Sequence, residues 1–170
     1  MRRSVLALSL ALLATPLALV AALPAMAQEL GLEPNRQMKA VLPDDPDGWD
    51  MSAIRVATGA LPMYSVATAE ATYKRGDIQV VVGAARSPTL YKAVMGSIKV
   101  PSTLPPNGKV EVVNGKNAIV IAYPEAQVPL YQIQIAAGAD GIVMLTTRTG
   151  NLDDLRAMAK EVDFEPFPIR

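Results

Sequence analysis

Residues 109–123 read KVEVVNGKNAIVIAY, two runs rich in β-branched and apolar residues on either side of Asn114-Gly115. Asn-Gly is the pair favoured at the centre of a type I′ turn, because both central residues there take positive φ. The stretch therefore predicts a tight hairpin of Lys109–Val113 with Lys116–Tyr123. Downstream, a loop from Pro124 to Pro129 leads to Leu130–Ala137, where Tyr131, Ile133 and Ile135 alternate with Gln132 and Gln134. Gly138 to Gly141 turns the chain into Ile142–Thr147, which is apolar on both faces at first and so expected at the centre of a sheet. Together these four strands predict a meander.

Upstream, a clearer β pattern begins at Tyr64 and runs to Lys74, with Ala67, Ala69, Ala71 and Tyr73 on one face. Arg75-Gly76 turns it into Asp77–Ala85, where Ile78, Val80, Val82 and Ala84 alternate. Arg75-Gly76-Asp77 spells an integrin-binding tripeptide, but between two strands it reads as a hairpin turn. Asp50 to Leu61 is a weaker strand-like segment. Ser87 at an N-cap and Pro88 at the first helical position open a helix, with Leu90, Tyr91, Val94, Met95 and Ile98 on one face. A second helix starts at Asn151, with Asp154 as the capping-box acid and Leu152, Leu155, Met158, Ala159 and Val162 turned inward. The fold class is α+β: an antiparallel sheet of about six to seven strands, a hairpin plus a four-strand meander, covered by two main helices.

The ends set the context. Arg2-Arg3, an uncharged Leu/Ala-rich run from Ser4 to Leu23, and Ala25-Met26-Ala27 before Gln28 make the three parts of a secretory signal peptide. An uncleaved anchor is the rival reading, since about twenty apolar residues can span a bilayer. Pro24 before the Ala-x-Ala triplet, and no basic cluster after it, favour cleavage. Sec export to the periplasm is expected, with secretion as the alternative. Residues 28–48 form an N-terminal extension that can hold one short helix from Pro34 to Leu42, and residues 49–170 form a single α+β domain.

The whole chain has 16 basic and 16 acidic residues among 170. Losing Arg2 and Arg3 with the leader leaves a formal charge of −2, no footprint for nucleic acid or an anionic membrane. Cys and His are both absent. That removes disulfides, thiol nucleophiles, Ser-His-Asp chemistry and the usual zinc and copper ligands. Neither G-x-S-x-G, S-x-x-K nor a Gly-rich phosphate loop occurs. The methionines that follow the leader are scattered and read as core filler.

This order of elements, with Gly48-Trp49 ahead of the first strands, resembles the Mog1/PsbP-like α/β/α sandwiches, a group that includes exported bacterial proteins. The resemblance covers most of residues 38–164 and implies a sandwich fold. It supplies no catalytic motif that maps onto these residues.

Two candidate sites stand out. Asp44 to Asp50 carries four carboxylates around Gly48, and Asp45, Asp47 and Asp50 are the residues of an irregular calcium site. EF-hand spacing fails, with Pro43 and Ile54 at the outer ligand positions, so a solvated turn is the stronger reading. Trp49, Tyr123 and Tyr131 are the candidate binding surface, the two tyrosines bracketing the 124–129 loop; ordinary packing is the rival explanation. No catalytic residue and no cofactor is expected. The composite reading is a non-enzymatic binding or accessory protein for an envelope protein or small ligand, without a membrane span once the leader is gone. A carrier of a small molecule or lipid, with a pocket between sheet and helices, is the alternative, and an enzyme independent of His and Cys the least favoured. Expressed in a Gram-negative host, the chain is expected in the periplasmic fraction with Gln28 as its N-terminus, as read by N-terminal sequencing. A product that keeps Met1 and sediments with membranes would replace the leader by an anchor.

Overall fold

A computed structural model describes residues 36–61 and 64–167; the leader expected over residues 1–27 and the start of the short helix lie outside them. The described strands are β1 (Asp50–Leu61), β2 (Tyr64–Arg75), β3 (Ile78–Arg86), β4 (Gly108–Val113), β5 (Lys116–Tyr123), β6 (Leu130–Ala137) and β7 (Gly141–Thr147). The helices are α1 (residues 36–41), α2 (Pro88–Lys99), continued by a 3-10 turn at Pro101–Thr103, and α3 (Leu152–Lys160). The strands form one sheet of seven in the order β1-β2-β3-β7-β6-β5-β4. Every neighbouring pair is antiparallel. β7, apolar on both faces in the sequence, is the middle strand. The weak segment at Asp50 is a full edge strand.

Turn chemistry fixes the hairpins. Asn114 (φ 48°) and Gly115 (φ 71°) both take positive φ, as the type I′ turn requires. Gly76 does the same at φ 59° between the paired Arg75 and Ile78.

One sheet face carries the main core. Ala69, Ala71 and Tyr73 of β2, Val80 and Val82 of β3, Ile133 and Ile135 of β6, and Val143 and Leu145 of β7 are buried there. α3 closes this face with Leu155, Met158 and Ala159, and α1 does so with Met38 and Val41. Asn151 caps α3 through the expected box: its side chain accepts from the Asp153 and Asp154 N–H groups, and Asp154 accepts from the Asn151 N–H. Arg75 ties the β2–β3 turn to this helix. Its guanidinium pairs with the buried Asp154 and lies 4.3 Å from the centre of the Trp49 ring. At the other edge, Glu111 of β4 accepts from Lys109 and from Arg156 of α3. The Lys109 bond first, and the Arg156 bond after it, hold the Glu111 carboxyl below its ordinary pKa despite partial burial.

Hydrogen bonds tie the extension to the domain: the Asp163 N–H donates to the Val41 carbonyl at 3.2 Å, and a buried phenol reaches Pro43. The Tyr73 hydroxyl, fully buried, donates to the Pro43 carbonyl at 2.7 Å. Burial, and secondarily the charge of Asp44, push the phenol from 10.0 up to about 12. Because the folded chain holds this proton more tightly than the unfolded one, the stabilisation is complete below pH 10 and is lost as pH rises towards 12. Tyr73→Phe is expected to cost about 1–2 kcal/mol near neutral pH, through the lost bond and the orphaned carbonyl. It should also flatten the alkaline fall in stability, measured by denaturant unfolding across that range. An unchanged alkaline slope in Tyr73→Phe would assign the fall to another group.

Candidate functional site

The strand order dictates where α2 must go. β3 is third in the sheet and β4 is seventh, so the chain between them crosses the second face over β7, β6 and β5. Its start is pinned. The Ser87 N–H donates to the Asp140 carbonyl at 2.8 Å, and Arg86 pairs with the Asp140 carboxylate at 2.9 Å. The Ser87 hydroxyl accepts from the Leu90 N–H, which accounts for Ser87 as a cap. Further along, Val94 is buried against Ile119, Ile121 and Ile142, with Tyr91 and Ile98 beside them. α2 therefore covers this face mainly over β7, β6 and β5.

Leu90 departs from the helical pattern. It belongs to the apolar side of α2, yet it is 51% exposed. Beside it the sheet carries small residues at Thr68, Gly83 and Ala85, so the helix and the strands do not close on each other. In register across the strands lie Thr68, Ala85 and Ile142, then Glu70, Gly83, Met144 and Gln134. Leu90 and Val94 wall this strip to leave a groove of about 380 Å³. Most of its surface is apolar, and Met144 is 43% exposed at its floor. Polar groups sit at the two ends. Glu70 brings a carboxylate, with Arg55 opposite it in register on β1. Gln134 donates to Gln132, whose amide in turn reaches the Met144 sulfur at 2.9 Å.

Gly83 makes the groove. It has no positive φ, so its backbone does not call for glycine. A Cβ placed there would meet nothing nearer than the Met144 carbonyl oxygen at 3.9 Å, so no close approach calls for it either. Glycine inside a strand weakens it and commonly marks a place where a ligand lies close to the backbone. At two other positions packing does require the glycine. A Cβ at Gly108 would press on the Pro105 carbonyl, and one at Gly141 would enter the Phe167 ring.

The residues singled out in the sequence are placed apart from this groove. Trp49 is buried in the main core under Arg75. Tyr123 packs on the α2 face and donates to the Pro106 carbonyl, whereas Tyr131 packs on the opposite face. They bracket one loop but do not share a surface, because the loop joins strand positions of opposite parity. Asp45, Asp47 and Asp50 are exposed around a turn in which Asp45 (φ 51°) and Gly48 (φ 74°) are left-handed. No group of three or more acidic side chains among the described residues is placed to hold a metal ion.

No family model, curated protein or solved structure matches the chain. Its function has to be read from the site alone. Two wider hollows, about 440 Å³ between α1 and β1 and 490 Å³ beside Tyr123, are more open to solvent and less apolar than the α2 groove. The signals that point to the groove are a glycine within the apolar alternation of β3 and a leucine at the start of α2. Gly83→Ala is expected to keep the fold and to raise its stability by about 0.5–1 kcal/mol, as measured by denaturant unfolding. A clear loss of stability would mean that the fold itself needs the glycine.

Proposed function

We propose that the chain is an exported, periplasmic binding protein, not an enzyme, whose ligand is a small apolar or amphipathic molecule held in the groove between α2 and the sheet. The observation that carries this reading is Gly83, a strand glycine that neither backbone conformation nor packing explains and whose missing side chain opens the groove floor. The volume of about 380 Å³ suits a small ligand. The lining chemistry favours binding over bond-breaking, since Glu70 is the sole ionisable side chain among its described lining residues. An accessory role for an envelope protein is the second reading, and exposed Leu90 and Met144 beside the groove are what favour it. The export pattern of residues 1–27 supports the location.

A neutral fluorophore tests the ligand class without interference from Glu70. Phenylnaphthylamine is expected to bind the wild-type protein saturably, with enhanced emission. Gly83→Leu, which projects a side chain into the groove, should weaken that binding roughly tenfold or more. Gly83→Ala should weaken it much less, and both variants should retain the wild-type circular dichroism. Equal binding by wild type and Gly83→Leu would move the site elsewhere, and absence of saturable binding would favour the protein-partner reading.

A further inference from the structure

The sheet ends on β4, a short edge strand that carries the charges of Lys109 and Glu111 but is otherwise regular. Its register with β5 is unbroken from Gly108 to Val113, with no bulge and no proline inside it. The other edge, β1, carries a register break between Met51 and Ala53. Val110 and Val112 of β4 point to the α2 face and are exposed, Val112 to 71%. Lys109 and Glu111 point to the opposite face, where they pair with each other.

Backbone polarity completes the edge. The two-residue turn makes Val113 and Lys116 a hydrogen-bonded pair, so alternate residues of β4 direct their groups outward: Val112, Val110 and Gly108. The Gly108 N–H already serves the Pro105 carbonyl. Outward-facing groups remain on Val110, on Val112 and at the Gly108 carbonyl.

The geometry points to a second copy of this chain as the partner of this edge, paired antiparallel about a two-fold axis at Val110. In that register Val110 exchanges both backbone bonds with its counterpart, and each Val112 N–H donates to the Gly108 carbonyl of the other copy. Val112 then packs over a glycine, which leaves room for it. On the other face Lys109 comes opposite Glu111 of the second copy, and the symmetry repeats that pair. These are non-hydrogen-bonded positions, where facing side chains lie closest. The charges select the register. Centring the axis on Glu111 would still align the outward groups of Val110 with Val112, but it sets two carboxylates directly opposite each other. The result is one continuous sheet across the two copies, isologous and closed.

The chain has no cysteine of its own, which makes disulfide mapping unambiguous. The full chain is expressed with Val110→Cys or with Val112→Cys, oxidised with copper–phenanthroline, and run on a non-reducing gel. Val110→Cys is expected to give a covalent dimer, since Cα atoms of a facing pair lie within disulfide reach. Val112→Cys should give roughly tenfold less, because it faces Gly108 rather than itself. Adding Glu111→Lys to Val110→Cys should cut the dimer yield, and the further change Lys109→Glu should restore it. The restoration separates pairing across the edge from loss of the internal Arg156 contact. No dimer from Val110→Cys overturns the interface. Equal yields from the two cysteines, or no rescue by the double charge swap, overturn the register.

Discussion

The β3–β7 ladder is the constraint on which the rest of the structure depends. It joins two meanders, β1–β2–β3 and β4–β5–β6–β7, each built from local hairpins, into one sheet. Its pairs run from Val80 with Thr147 to Arg86 with Gly141, and the Arg86–Asp140 ion pair and the Ser87–Asp140 backbone bond fasten one end. Once β3 lies beside β7, β4 is left at the far edge, and the connection between them has to cross the sheet. α2 is that connection. Its position over β5, β6 and β7 follows from topology, with Val94 and its neighbours supplying the apolar contact.

The two faces are consequently unequal. The face under α1 and α3 is packed with Val, Ile, Leu, Ala and Tyr73, and its polar attachments are specific: the Tyr73–Pro43 bond, the α3 capping box and the Arg75–Asp154 pair. Among the described residues the other face carries one helix, α2. Where α2 does not reach, the strands carry Thr, Gln, Glu and a glycine, as expected of residues that meet water or a ligand. The groove lies on the border between the covered and uncovered parts.

Much of this fold was legible in the residues. Asn114-Gly115, the Ser87-Pro88 cap and the Asn151…Asp154 box are local devices, and each acts where its chemistry says it should. Alternation in β2, β3 and β6 also reported correctly which side chains share the core. The neighbour relation of β3 and β7 was not legible, because periodicity states which residues share a face and is silent on which strand lies alongside. The groove was hidden for the same reason: it needs Gly83, Met144 and Leu90 brought together from three elements. Leu90 read as a core residue since helical spacing cannot show that the sheet beside it carries small residues at Thr68, Gly83 and Ala85. Tyr123 and Tyr131 looked like neighbours through the loop between them, but strand parity sends them to opposite faces.

Joining the meanders through β3 and β7 also shapes how the chain reaches this state. The β1–β3 meander is complete about sixty residues before β7 has been made, and closing that span costs entropy before any contact between the halves repays it. Until then β3 and β7 are open edges in addition to β1 and β4, and the Ala/Val face of β2 and β3 has no cover. The central ladder is the one pairing among the described strands that joins strands not consecutive in the chain, and until it closes it leaves two further edges exposed. Conditions that slow its closure would be felt as aggregation before they appeared as loss of native stability.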